Sequence, residues 1–174
     1  GDSLRIGTFN AQFLPWMAST QPENDDIKRS LRIANRILAT EYDVIALNEV
    51  FDEDARDVFV GMLSETYPHF VAKLDDDALF AEDSGLMLFS RFPFEPLPNP
   101  VWVVEQDNVK AFSAGQPFKS VGFIEYDDSM PFIEADLDIN SDDMAAKGVG
   151  LVRIQNPHTR RFYNVAFTHL QASY

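Results

Sequence analysis

Two hydrophobic periods alternate along the amino-terminal third of the chain. Leu4-Arg5-Ile6-Gly7-Thr8-Phe9-Asn10 alternates apolar and polar residues, the period of a strand, and ends at Asn10. Residues 11–24 carry Pro15 and Pro22 and read as a loop. From Ile27 the period becomes helical, with Ile27, Leu31, Ala34, Ile37 and Leu38 on one stripe. Asp25 and Asp26 stand where they would cap the start and favour the positive end of the dipole, so a helix is expected over residues 26–40. Next comes Val44-Ile45-Ala46-Leu47, a continuous apolar run that predicts a strand buried on both faces over residues 43–49. Strand, helix, strand is a βαβ pattern, which places the two strands parallel and their carboxyl ends, with Asn10 and Glu49, on one edge of the sheet. A carboxylate beside a fully apolar strand needs a basic partner or a metal ion, unless it exits to solvent or caps the helix that follows.

That helix is marked by Ala55, Val58, Phe59, Met62 and Leu63, with Asp52, Glu53 and Asp54 as an acidic first turn. Strands are expected over residues 69–74, 85–90, 101–104 and 120–126. Residues 105–117 read as a loop, and Pro93, Pro96, Pro98 and Pro100 interrupt the chain before residue 101. The acidic loop 75–83 has Phe80 where a calcium loop needs glycine, so it is not read as a calcium site. Residues 127–143 read as an acidic insertion. Val149 to Gln155 and Phe162 to Thr168 form an expected hairpin around Asn156-Pro157-His158-Thr159. His69, after Pro68, reads as a strand-edge residue, and His158 as a solvated turn residue.

Composition narrows the classes. With 45% hydrophobic and 13% aromatic residues in 174, the chain fills the core of one domain, residues 1–174. Fourteen basic against 28 acidic residues give a net charge of −14, which disfavours broad nucleic-acid binding. The absence of cysteine removes thiol catalysis, disulfides and zinc thiolate sites. No run approaches the roughly 18 apolar residues of a membrane span. The strand pattern begins at Leu4, so either nothing precedes it or a leader has been removed.

Thr168-His169 closes the last strand as Asn10 and Glu49 close theirs. An amide oxygen, a carboxylate and an imidazole at three strand ends suit a hard divalent ion and a phosphate ester. Four ordered segments carry a resemblance: Thr8-Phe9-Asn10, Asp43 through Phe51, Ser84 through Pro93, and Thr168-His169-Leu170-Gln171. Together they resemble the motifs of the endonuclease/exonuclease/phosphatase superfamily. Glu49-Val50-Phe51-Asp52, with Lys147-Gly148 ahead of Thr168-His169-Leu170-Gln171-Ala172, is most similar to the bacterial and neutral sphingomyelinases.

The resemblance implies an α/β fold: part of a two-sheet α/β sandwich of the DNase I-like type with flanking helices. It also implies magnesium-dependent phosphodiester hydrolysis. Asn10 and Glu49 would hold the Mg2+, with Glu49 the principal ligand, and His169 would contact the scissile phosphate or stabilise the transition state. Lys147 would neutralise phosphate charge, or else stand as a solvated lysine at a strand start, with Asp142 and Asp143 near enough in sequence to pair with it. The substrate expected is a phosphodiester of a choline phospholipid, split into phosphocholine and a ceramide-like product, with peripheral membrane contact and a secreted or periplasmic location. Pro15-Trp16-Met17 would be a contact, or local packing. The family's downstream Asp, Asn and terminal Asp-His motifs, including its general base, have no counterpart before Tyr174, so the chain reads as truncated at its carboxyl end, binding metal weakly and turning over little or nothing alone. A nuclease or phosphate-ester phosphatase of the same superfamily, or a non-catalytic domain that has kept the fold, are the alternatives.

Overall fold

The computed structural model describes residues 3–13, 23–74, 84–98, 109–125 and 148–169. In chain order the elements are β1 (Ile6–Phe13), α1 (Glu23–Leu38), β2 (Val44–Val50), α2 (Glu53–Leu63), β3 (His69–Leu74), β4 (Met87–Ser90) and β5 (Phe94–Glu95). They continue with β6 (Val109–Ser113), β7 (Gln116–Pro117), β8 (Gly122–Glu125), β9 (Gly148–Gln155) and β10 (Phe162–Thr168). The first sheet runs β1-β2-β4-β3-β6-β7; the second runs β10-β9-β5, with β8 also on β9. The result is an α/β sandwich of two sheets with flanking helices.

The expected parallel pair is present: Ile6 to Asn10 of β1 match Val44 to Asn48 of β2 one for one. Strand β2 lies between two cores, which is why its apolar run is continuous. Ile45 and Leu47 join Ala34, Ile37, Phe59 and Leu63 under the helices. Val44 and Ala46 join Leu88, Phe92, Val152, Ile154 and Phe167 between the sheets.

Several expectations need correction. Residues 109–113 and 116–117 are strands, because the turn at Ala114-Gly115, both at positive φ, folds them into a hairpin that no apolar run announces. Phe94 and Glu95 pair with β9 despite the surrounding prolines, as a two-residue strand tolerates. Helix α1 starts at Glu23, so Asp25 and Asp26 lie within its first turn, and Asp26 is buried against Arg29 at 3.1 Å. At α2, Asp52 is the N-cap, accepting from the Ala55 amide at 2.7 Å. The strand expected at 101–104, the acidic loop 75–83 and the insertion 127–143 lie outside the described residues.

His69 is no strand-edge residue. Strand β3 sits between β4 and β6, and the ring is buried, with Nδ1 2.8 Å from Ser113 Oγ. Burial lowers its pKa below the ordinary 6.5. The fold therefore favours neutral His69: its contribution is intact above about pH 6.5 and declines as pH falls from there to the depressed folded-state value. An NMR titration should place the His69 midpoint below 6.5. In His69→Gln, which keeps a partner for Ser113, this segment of the stability curve should vanish; a midpoint at or above the ordinary value would refute the assignment.

Candidate functional site

Three elements deliver three side chains to one place. Asn10 lies opposite Asn48 in the parallel register, and both face the space between the sheets that Val44 and Ala46 fill further down. By strict alternation Glu49 would then turn towards the helices. Instead its backbone takes a left-handed conformation, φ +58°. This conformation, costly for a residue with a Cβ, breaks the alternation. Val50 consequently returns to the helix-side core, and the Glu49 carboxylate reaches across to the second sheet.

There it meets two donors. Asn10 Nδ2 donates to Glu49 Oε1 at 2.7 Å, and His169 Nε2 lies 3.0 Å from the same oxygen. Neither of them bonds Oε2. The Asn10 amide is itself oriented, since its Oδ1 accepts from the Gln12 amide at 3.0 Å. Gln12 is also left-handed, φ +54°, at the point where the β1 register slips. Glu49 and His169 are 13% and 12% exposed, so their pairing is largely removed from water. Glu49 neither exits to solvent nor caps α2.

Asn48, which sequence reasoning passed over, joins the two sheets at this point. Its Nδ2 donates to the Thr168 carbonyl at 3.0 Å, so the residue before Glu49 holds the residue before His169. Thr168 Oγ1 in turn donates to the Gly148 carbonyl at 2.8 Å, fixing the end of β10 to β9. The signal was present in the sequence: in a strand whose even-numbered residues face the second sheet, Asn48 is the polar one. Asn48 Oδ1 and His169 Nδ1 are buried and have no hydrogen-bond partner among the described residues. Each such atom costs about 1–3 kcal/mol unless something satisfies it, and both lie on the residues that frame the site.

The structure thus brings Asn10, Glu49 and His169 together. Lys147, Asp142, Asp143 and Pro15-Trp16-Met17 lie outside the described residues. His158 is exposed in the β9–β10 turn, as expected. One carboxylate, one amide and one imidazole can order a hard cation, a phosphate oxygen and a proton. Among the described residues no group of three or more His, Cys, Asp or Glu side chains forms a metal cage.

The profile of the Endonuclease/Exonuclease/phosphatase family matches residues 7–158. Among curated proteins no sequence matches the chain. Solved structures do match. Sphingomyelinase C from Streptomyces griseocarneus is 18% identical with a TM-score of 0.68, covering 99% of this chain and 51% of its own. A double mutant of beta toxin from Staphylococcus aureus with bound magnesium ions is 16% identical with a TM-score of 0.65, covering 97% and 50%. SmcL is 18% identical with a TM-score of 0.63, covering 98% and 49%. The chain spans about half the length of these structures, and the likeness is one of fold.

Proposed function

Because the chain belongs to the endonuclease/exonuclease/phosphatase family, we propose that it serves magnesium-dependent phosphodiester hydrolysis of the sphingomyelinase kind, converting sphingomyelin to phosphocholine and ceramide. The observation that carries this reading is the convergence of Asn10 and His169 on Glu49 at the ends of strands from both sheets. The similar structures named for sphingomyelinase C and for bound magnesium support it.

The donor set fits the ion. Magnesium takes one or two carboxylates and leaves the remaining positions to water and substrate oxygens, so a metal cage of several acids is not required. Glu49 would hold it, with Asn10 beside; when bound, it would polarise a phosphoryl oxygen and offset the charge that develops there. The residues of the chain do the rest. Asn10 fixes the carboxylate through Oε1, leaving Oε2 outside that hydrogen bond. Glu49 holds His169 through Nε2, so the ring keeps one orientation at the site. Lys147, by its place in the Lys-Gly segment, would add positive charge at the phosphate.

The test is release of phosphocholine from sphingomyelin by the purified protein, with magnesium and in EDTA, beside DNA and a phosphate monoester. Turnover of sphingomyelin that requires magnesium is expected. Faster hydrolysis of DNA or of the monoester would replace this reading by one of the alternatives within the family, and the absence of metal-dependent hydrolysis of any of them would show that the residues of this chain do not suffice for turnover.

A further inference from the structure

We infer that the solvent face of α1 is a docking surface for an anionic lipid bilayer. From Ile27 to Thr40 the chain holds four basic residues and no acidic one, in a protein whose net charge is −14. These four separate by role. Arg29 turns inward: its guanidinium donates to the Gln12 carbonyl at 2.7 Å, pairs with Asp26 at 3.1 Å and covers the Phe13 ring at 4.1 Å. Lys28, Arg32 and Arg36 follow one another at intervals of four residues and are exposed, so they form a single ridge. Along its flank run Ile27 and Leu31, 38% and 39% exposed. The buried line of Ser30, Ala34 and Ile37 lies opposite. Asp25 is the one acidic side chain among the exposed described residues of the helix.

Basic and apolar residues side by side on an exposed helix are what a headgroup layer selects: the cations meet lipid phosphates while the aliphatic chains enter the boundary below them. The rest of the protein is acidic, but at physiological salt a charge is screened beyond about 8 Å, so only the face nearest the bilayer decides the sign. No helix among the described residues is long and apolar enough to cross a membrane, so contact through α1 lies along the surface. The inward Arg29 links this face to the candidate site. It holds the Gln12 carbonyl, and the Gln12 amide holds Asn10, so a docked α1 tethers that strand end to the bilayer.

This inference goes beyond the proposed reaction, and its test does not depend on turnover. Co-sedimentation is measured in EDTA with vesicles of phosphatidylglycerol and phosphatidylethanolamine, and with phosphatidylethanolamine and phosphatidylcholine as the uncharged pair. The protein should sediment with the anionic vesicles and be released by high salt. Lys28→Glu, Arg32→Glu and Arg36→Glu together should weaken binding about a hundredfold. Ile27→Ser with Leu31→Ser should weaken it while keeping its salt dependence. Arg160→Glu with Arg161→Glu, a charge reversal on the β9–β10 turn, should leave binding unchanged, and far-UV spectra and melting curves show that each variant is folded. The inference is overturned if the parent protein ignores anionic vesicles, or if the turn variant loses as much binding as the helix variant. It is equally overturned if sedimentation velocity shows that the helix variant loses self-association instead, which would give the face to a second copy of the chain.

Discussion

Replacing Glu49 with glutamine should lower magnesium-dependent hydrolysis at least about a hundredfold, because an anionic ligand contributes several kcal/mol of charge stabilisation that a neutral amide cannot. The exchange is nearly isosteric. A glutamine oxygen can still accept from Asn10 Nδ2 or His169 Nε2, now 2.7 and 3.0 Å from Oε1, so the local hydrogen bonds have a substitute. The left-handed backbone at this residue is unchanged by it. Folding stability should therefore move little, and the loss should appear in turnover and in magnesium affinity. Activity measured across a magnesium series separates the two: higher magnesium should restore part of the rate if affinity is what fell. An unaltered rate in Glu49→Gln would remove Glu49 from the metal site and with it the proposed mechanism.

Gly85→Ala should destabilise the fold by about 3 kcal/mol, through two separate costs. Gly85 has φ +61°, where a Cβ is strained. That Cβ would also stand 2.7 Å from the edge of the Phe51 ring, which is nearly buried and has little room to retreat. The contact ties the segment Ser84 through Pro93 to the segment that Phe51 closes. The Gly85 carbonyl accepts from the Val50 amide at 2.9 Å, and the Phe51 ring closes over the same point. Urea denaturation measures the effect. A loss below about 1 kcal/mol would mean that Phe51 repacks freely and that the glycine is not needed there. Because Val50 and Phe51 follow Glu49 directly, activity should fall more than the unfolded fraction accounts for.

The particular residues show where sequence reasoning succeeds. Val44 to Leu47 announced a strand buried on both sides because two cores demand it, and Ala34, Ile37 and Leu38 announced a helix because that face packs on the core, while Ile27 and Leu31 of the same stripe stay exposed. Short elements escaped it. Strand β6 is carried by a hairpin turn and by pairing with β3, a partner more than thirty residues away, and His69 became an interior residue only because β6 covers that flank of β3. Asn48 is a similar case: nothing local distinguishes a strand-end asparagine that reaches solvent from one that bonds the Thr168 carbonyl 120 residues on.

The chemistry divides in the same way. Local periodicity determined the strands, the βαβ pairing and the shared edge of Asn10 and Glu49, since each follows from where apolar side chains must go and from the handedness of a crossover. The tertiary structure alone decided that Glu49 leaves its alternation through a left-handed residue, that it meets His169 from the other sheet, and that α1 turns Arg29 inward while Lys28, Arg32 and Arg36 stay in water. Those outcomes depend on the balance between backbone strain, burial and long-range hydrogen bonds, which exists only once distant segments share one core.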